Sequence, residues 1–557
     1  MDCKNIGNPD WLPVQLKGKK QMAPHENENV KKGALTSRGV TLCAGQVGIS
    51  LGFMRRLLQR MQQLGFSELV WEMKMQSARY PAANTWHYYT VSEVKQVLQW
   101  ASELGIQVIP EINTPGHMGV WLENYPHLAL QRKDGSTGDC ERLDLTNPRA
   151  VEFYLNLVDE YLEVFTPKYT KYWHMGADEY MIHDSYDNYP QILDYARQTY
   201  GENATPYDVF NGFINQVNAH VRAKGYNLRI WNDGIHDSPV VSVDNNIVVE
   251  YWKDEGLRVA ELARRGHKLI NATEKLYWSR SHAPYRVDAK ALWESTWDGR
   301  EFIGGQRLNP ALAEAQLGLR VSIWPDTSYY QTEHEVWTAI QDSLLLVAAL
   351  DGNGEKANVT WEEAHRRATV SVWPEPGVPE GIYRIAQLGS VAPGPWRVGW
   401  TQDQYVTLTD LASGQNLALC SGGKHLEVVT ESGATVELCE PVEDASWPTG
   451  WDTAEARNTQ KWVLTPVQTG HELRGELGIQ TGDGRCSEEE RQPEEVGIKE
   501  LAPHEDEKPK ATKLTCIISP ALTNQQLCVQ GDIVAQYPPD AAPSGAVFQL
   551  EPIFRLD

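Results

Sequence analysis

The sequence predicts an α/β protein, a (β/α)8 TIM barrel followed by an all-β C-terminal region. Three observations carry that expectation. Eight short runs rich in Val, Ile, Tyr and Trp alternate with helix-like stretches between about residues 38 and 350, which is the arithmetic of a closed parallel barrel. Polar and aromatic residues gather at the C-terminal ends of those runs, where barrel strands converge on one mouth. Beyond about residue 375 the helical period fades, and short β-like runs are separated by Gly, Ser and Thr. An open doubly wound sheet would carry a glycine-rich phosphate turn after its first strand, and this chain has none there.

The first 35 residues lack any period and read as an arm. The barrel is expected over 36–352. Its strand candidates are 38–44, 67–73, 106–112, 171–177, 228–234, 246–252, 267–273 and 319–325, read as buried parallel strands because their apolar runs are near continuous. The stretch 50–65 puts Leu51, Met54, Leu57, Leu58, Met61 and Leu64 on one helical face, with Ser50 as cap and Gly65 as stop. Residues 92–105 and 206–225 repeat the pattern. A linker is expected over 353–378. A β-rich region, a candidate small barrel or trefoil, follows over 379–557. Gln460, Lys461 and Trp462 resemble the Q-x-W signature of ricin-type lectin trefoils, which marks this region as a candidate carbohydrate-binding domain. Within it, 484–512 is charged and contains proline, the composition of a solvated loop.

Composition narrows the function classes. The 557 residues carry 74 acidic and 51 basic side chains, a net charge of −23. Such a chain is repelled by nucleic acid and by anionic membranes, so neither is an expected partner. No window is apolar enough to span a bilayer. The first residues, MDCKNIGNPDW, have no apolar core of a signal peptide, which leaves open a leader removed before the numbering begins. Twenty Trp and 23 Tyr stand against nine Phe. Flat rings with polar edges suit sugar binding, because they stack on pyranose C–H faces while their edges bond hydroxyls; they also fill cores. Eight cysteines without a CxxC spacing argue against zinc and redox motifs. Five of them lie in the last 140 residues, where Cys420 and Cys439 could pair, and this usage favours an extracytoplasmic location. Of the Asn-x-Ser/Thr triplets at Asn203, Asn271 and Asn358, that at Asn271 falls inside a predicted strand.

The chemistry-bearing residues sit at the strand ends: Gln46, Glu72, Glu111, Asn113, Asp178, Glu179, Asp233, Trp252, Tyr277 and Asp326. Asp178 and Glu179 are adjacent carboxylates in the run HMGADEY, and bringing like charges together raises one pKa. Two carboxyls with separated pKa values are the material of acid–base catalysis, with Glu179 as the candidate acid and Asp178 as the ionised partner. A helix N-terminus would also carry such a pair, because it stabilises the dipole.

The frame His174-x-Gly176-x-Asp178-Glu179 resembles the active-site signature of glycoside hydrolase family 20. VIPEINTPGH (108–117) resembles that family's second signature and SRGVTLCAG (37–45) its first strand. The resemblance covers roughly 36–350 and implies a barrel glycosidase without metal or cofactor, acting on N-acetylhexosaminides of oligosaccharides or glycoconjugates. It implies substrate-assisted retention, in which the substrate's own 2-acetamido oxygen is the nucleophile, an exception to the two-carboxylate scheme. Asp178 would accept the acetamide N–H, Tyr277 would donate to the acetamide oxygen, and Glu179 would protonate the leaving oxygen and then activate water. Trp231, Trp252 and Trp324 would wall the sugar. Gln46 and Asp326 would meet hydroxyls, Asn113 and His117 would support the carboxylates, and Tyr285 would reach a second sugar. Tyr285 and Trp278 fit rim packing equally well. Glu72 and Glu111 read either as ion-pair partners at the mouth or as ligands, with the ion-pair reading favoured for Glu111.

The departures from the family pattern carry the specificity. The family's single-sugar enzymes have Asp, Arg and Asp where this chain has Cys43, Gln46 and Asn113. Losing the charged clamp opens space beside O3 of the N-acetyl sugar. That is the property of the lacto-N-biosidase subgroup, which releases galactosyl-β-1,3-N-acetylglucosamine from lacto-N-tetraose-type chains; the motifs TLCAGQ (41–46) and LYWSR (276–280) resemble that subgroup. The resemblance thus implies a secreted exo-enzyme of that kind. A β-N-acetylhexosaminidase releasing single sugars, and a non-catalytic glycan-binding protein, are the other two readings.

Overall fold

The computed structural model describes residues 35–45, 49–85, 88–135, 141–279, 287–325, 332–351 and 356–368. Beyond these it describes 381–385, 388, 391–392, 394–401, 405–413, 415–419, 436–439, 462–466, 514–520, 526–530, 533–537 and 547–552. Gln46, Tyr285, Asp326, Cys420, Gln460, Lys461, the arm before Leu35 and the charged stretch 484–512 lie outside the described residues.

The chain runs β1 (Ser37–Ala44), α1 (Leu51–Gln63), β2 (Glu68–Met73), α2 (Val91–Glu103), β3 (Gln107–Thr114), α3 (Gly119–Leu122), α4 (Pro148–Val164) and β4 (Tyr172–Gly176). It continues through α5 (Pro190–Tyr200), α6 (Pro206–Ala223), β5 (Asn227–Trp231), β6 (Val248–Tyr251), α7 (Val259–Arg265) and β7 (Lys268–Asn271). Then come β8 (Tyr277–Ser279), α8 (Ala289–Glu294), β9 (Gln316–Trp324), α9 (Glu333–Ala348) and α10 (Trp361–Arg367). Strands β1 to β7 and β9 pair in parallel and in order, and β1 closes on β9 through Ser37↔Gly318 to Leu42↔Ile323. The eight barrel strands are those expected from the apolar runs. No helix separates β5 from β6. Strand β8 is an addition: it pairs with the upper end of β9, Tyr277 opposite Ser322, above the point where β7 leaves that edge.

Local chemistry accounts for the helices. The Ser50 hydroxyl accepts the Phe53 N–H at 3.1 Å and starts α1, and Gly65, with φ +74°, turns the chain after it. Phe53, Met54, Leu57, Leu58 and Met61 are buried on the barrel side, each contributing roughly 1.5–3 kcal/mol of transfer free energy. Thr90 and Glu93 form a capping box on α2, and Thr205 and Asp208 another on α6, where Pro206 fills the first turn. Asn271 is buried in β7, and its Nδ2 donates to the Gly299 and Glu301 carbonyls, so its glycosylation triplet is closed off.

Four charged residues cross the lower interior of the barrel. Arg229 grips both oxygens of Glu68 at 2.9 and 3.0 Å, and Arg320 grips both oxygens of Glu250 at 2.8 and 2.9 Å. Cross-bonds at 3.2 and 3.3 Å join the two pairs, and Ser37 donates to Glu68 at 2.8 Å. Burial alone would raise both carboxyls, yet the two guanidiniums hold Glu68 and Glu250 down at about 2. Gly39 leaves room for this cluster: a Cβ there would come within 1.4 Å of the Arg320 guanidinium and force it to shift.

In the stretch read as a linker, α10 packs on α8 through Trp361 and Trp293, whose ring centroids are 5.5 Å apart. Nine further strands describe the remainder, from β10 (Gly381–Ile385), β11 (Trp396–Trp400), β12 (Val406–Asp410), β13 (Asn416–Leu419) and β14 (Val436–Cys439) to β15 (Trp462–Pro466), β16 (Leu514–Pro520), β17 (Gln526–Gln530) and β18 (Ile533–Tyr537), with β19 (Val547–Pro552) as the tenth. All their pairings are antiparallel, in agreement with an all-β region. No helix among the described residues is long and apolar enough to cross a membrane.

Candidate active site

The mouth is built on two neighbouring turns, those after β3 and β4. Among the described residues, the non-glycine positions with left-handed backbone are His117, Ala177, Glu179 and His183, and all four lie on these turns. Each such conformation costs on the order of 1–3 kcal/mol and persists where the surroundings impose it. The constraint is visible. A Cβ on Gly116 would meet the Asp178 carbonyl at 2.9 Å, and one on Gly176 would meet Asn113 Oδ1 at 2.0 Å, so the two turns touch backbone to backbone. Arg142 pins the second turn from below, donating to the Tyr180 and Ile182 carbonyls at 2.7 and 2.8 Å.

The expected carboxylates meet at one imidazole. His117 Nε2 lies 3.5 Å from Asp178 Oδ2 and 3.4 Å from Glu179 Oε2. Burial disfavours a charged imidazole, but the hydrogen bonds and charges of both carboxylates outweigh it and raise His117 well above the usual range. Burial likewise would raise Asp178; the His117 contact reverses this and holds the carboxyl below its ordinary value. Asp178 is therefore an anion at neutral pH. Its second oxygen, Oδ1, is buried without a hydrogen-bond donor. The ligand-type atoms of His117, Asp178 and Glu179 lie within 4.8 Å of one another, a spacing that would admit a cation. A protonated His117 already supplies positive charge between the two carboxylates.

Glu179 is held from the β5 and β6 side as well. Its N–H donates to Asp233 Oδ2 at 3.0 Å, the Trp252 indole donates to Asp233 Oδ1 at 2.8 Å, and Lys253 Nζ reaches Glu179 Oε1 at 3.2 Å. Burial and then the charge of Asp178 push Asp233 up to about 7. Asn232 fixes this segment, donating to the Lys253 carbonyl at 2.8 Å and accepting the Trp252 N–H at 2.8 Å.

The four expected aromatic residues form one continuous wall. Trp231 lies 5.6 Å from Trp324, Trp324 lies 6.0 Å from Tyr277, and Tyr277 stacks on Trp252 at 6.1 Å and 13°. Trp324 Nε1 is buried without an acceptor. Trp278, the neighbour of Tyr277, points inward and is buried. Glu111 supports the wall from beneath, accepting the Trp231 indole N–H at 2.9 Å and lying 3.2 Å from His174 Nδ1. Burial and then the charge of Glu111 push Glu72 up to about 8, with Cys43 hydrogen-bonded to it.

The structure thus brings together Asp178, Glu179, His117, Asn113, Trp231, Trp252, Tyr277 and Trp324. Sequence reasoning missed Lys253 and Arg142. Lys253 directly follows the wall residue Trp252 at a strand end, a position that could have exposed it; Arg142 sits in a loop far from any motif.

The profile of glycosyl hydrolase family 20, catalytic domain, matches residues 52–341, just over half of the chain. The lacto-N-biosidase of Bifidobacterium bifidum is 43% identical over 442 residues, 78% of this chain and 39% of that protein. The β-hexosaminidase subunit A1 of Dictyostelium discoideum is 24% identical over 298 residues, 48% of this chain and 54% of its own length. The chain therefore spans well under two thirds of either relative. The exo-β-N-acetylglucosaminidase of Vibrio harveyi shares the fold, with a TM-score of 0.50 at 16% identity over 60% of this chain and 56% of that one.

Proposed function

The chain belongs to glycosyl hydrolase family 20, and from that premise we propose that it is a retaining exo-glycosidase of the lacto-N-biosidase type. It releases galactosyl-β-1,3-N-acetylglucosamine from the non-reducing end of lacto-N-tetraose-type oligosaccharides. The observation that carries this reading is the Asp178 carboxylate. It is buried, held ionised by His117 with Asn113 also hydrogen-bonded to it, and its Oδ1 has no hydrogen-bond donor. A buried anion with a free acceptor is suited to bind an amide N–H that grows more acidic as positive charge develops.

The steps follow from that placement. The substrate's acetamide oxygen attacks C1, the glycosidic bond breaks, and Glu179 transfers its proton to the departing oxygen. Asp178 holds the acetamide N–H through the oxazolinium intermediate, and Tyr277 donates to the acetamide oxygen and aims it. Trp231, Trp252 and Trp324 exclude water and strengthen each polar contact. Glu179, now ionised, takes a proton from water, which opens the oxazoline at C1 and restores the original configuration. His117 lies between the two carboxylates and holds Asp178 ionised. The 43% identity to a lacto-N-biosidase and the neutral Gln46 in place of a charged clamp support disaccharide release.

The division into a barrel at 36–352 and a β-rich region at 379–557, joined by 353–378, is part of this proposal. So is an extracellular place of action. Strands β10, β11, β12, β15, β16 and β19 pair around a closed ring, and β13–β14 and β17–β18 form hairpins off it. That arrangement supports a trefoil, and the Q-x-W resemblance at Gln460 to Trp462 supports a carbohydrate-binding role there.

The deciding experiment is the product profile on lacto-N-tetraose against its β-1,4 isomer, lacto-N-neotetraose, by mass spectrometry. Release of the intact disaccharide and lactose from the first substrate is expected. Monosaccharide alone would make the protein a β-N-acetylhexosaminidase, and binding without any product would make it a glycan-binding barrel.

A further inference from the structure

Past Glu179 the mouth opens sideways into a groove of about 670 Å³. Glu179, Asp233 and Lys253 line it together with the rings of Tyr186, Tyr207 and His236. The rings there form a platform. Tyr207 meets Tyr186 edge-on at 5.3 Å and lies 4.4 Å from His236 at 41°. Tyr207 is 36% exposed, and only it and Val240 are large apolar side chains left open among the described residues. It is carried on the capped first turn of α6, behind Pro206, so its position is fixed by a rigid element. Burial lowers the pKa of His236, which leaves that ring neutral at neutral pH.

A general acid protonates the oxygen between two sugars. The sugar being released must lie on the aromatic-wall side of Glu179, and the leaving group on another side. Two cavities border Glu179 there. One, of about 310 Å³, has charged walls that include His117, Arg132, Arg142 and Asp184. The larger groove has charged walls too, Asp184, Asp187 and Glu255 among them, but of the two it alone adds tyrosine rings, the surface on which a pyranose C–H face stacks. Its volume suits a ligand larger than a single hexose.

We propose that this groove is the leaving-group subsite, taking a saccharide of at least two rings on the reducing side of the cleaved bond, with its outer ring stacked on Tyr207 and His236. The inference rests on the reading of Glu179 as the acid. Lys253 and Asp233 stand where the hydroxyls of the first leaving ring arrive. The subsite makes the enzyme a better catalyst on oligosaccharides than on glycosides whose leaving group is one small ring.

The test uses the full chain, with Tyr207→Ala, His236→Ala and Tyr207→Phe. Each is measured on lacto-N-tetraose, whose leaving group is lactose, and on the nitrophenyl glycoside of the same released disaccharide. Tyr207→Ala is expected to lower the ratio of kcat/KM between the two substrates roughly 3- to 10-fold, mainly through KM on lacto-N-tetraose. His236→Ala should lower it by less, and Tyr207→Phe should restore it. An unchanged ratio in both alanine variants overturns the groove assignment alone. If the unaltered chain releases disaccharide from neither substrate, the reading of function fails and the assignment falls with it.

Discussion

Glu68 and Glu72 stand four residues apart on the same face of β2, about 13 Å along one strand, and the surroundings that receive them differ in kind. Glu68 belongs to the lower interior, where two carboxylates face two guanidiniums and every carboxylate oxygen is bonded. Glu72 belongs to the mouth, where Glu111, Asp178, Glu179 and Asp233 outnumber the cations His117 and Lys253. There the acceptors Glu72 Oε2, Glu111 Oε2 and Asp178 Oδ1 find no donor. A cluster of zero net charge with every carboxylate oxygen bonded, only Arg229 Nε and one terminal nitrogen of Arg320 lacking a partner, fixes a fold. An acidic cluster with open acceptors is costly to keep folded, and its open atoms are available to a ligand. The barrel keeps the two apart by height along its strands.

The sharpest way to break this comparison is to neutralise one carboxylate in each. Glu179→Gln should lower turnover roughly 10²- to 10⁴-fold, the usual contribution of a general acid–base, and leave the thermal midpoint nearly unchanged. Glu68→Gln should do the reverse. It leaves Arg229 and Arg320 sharing Glu250 alone, a buried uncompensated charge worth about 3–5 kcal/mol of stability. Denaturant unfolding and specific activity per folded molecule, measured on both variants, check the pair. A large stability loss in Glu179→Gln, or a catalytic loss in Glu68→Gln without unfolding, would erase the distinction.

The pH dependence of stability separates the regions next. Glu68 and Glu250 sit at about 2 when folded, below the unfolded carboxyl value of about 4.3. Their contribution is complete above about pH 5 and is lost as pH falls toward about 2. Glu72 and Asp233 sit at about 8 and about 7. Folded, they keep protons that the unfolded chain gives up, so they lower stability progressively as pH rises from about 4 to those values. Unfolding free energies measured from pH 2 to pH 9 should therefore rise, pass through a maximum in the weakly acidic range, and decline.

The two regions were also unequally legible. The mouth announced itself, because strand ends rich in Asp, Glu, Asn and Trp are rare in apolar runs, and HMGADEY and VIPEINTPGH are contiguous. The lower cluster left one charge in each of β2, β5, β6 and β9, spread from Glu68 to Arg320, and only the closed barrel brings them together. A charge inside each of four largely apolar strands was the available signal. Strand β8 gave none, since three residues become a strand only by pairing with the top of β9. The convergence of Asp178 and Glu179 on His117 depends on two left-handed turns touching, a tertiary fact that no local pattern encodes.

The smallest effect is the most discriminating. Glu72→Gln replaces a carboxyl that is protonated near neutrality with an isosteric amide, so at pH 5 the change in stability should stay within about 1 kcal/mol. By pH 8 the unaltered chain carries the cost of keeping that proton and the variant does not, so the gap should widen in the variant's favour. Glu68→Gln predicts the opposite trend, because the parent gains stability from its ionised Glu68 as pH rises from 2 to 5 while the variant cannot. Urea unfolding of Glu72→Gln at pH 5 and 8, and of Glu68→Gln at pH 2 and 5, measures two slopes of opposite sign. If Glu72→Gln instead loses several kcal/mol at both, Glu72 is an ionised, paired carboxylate like Glu68, and the mouth is as much a structural cluster as the interior below it.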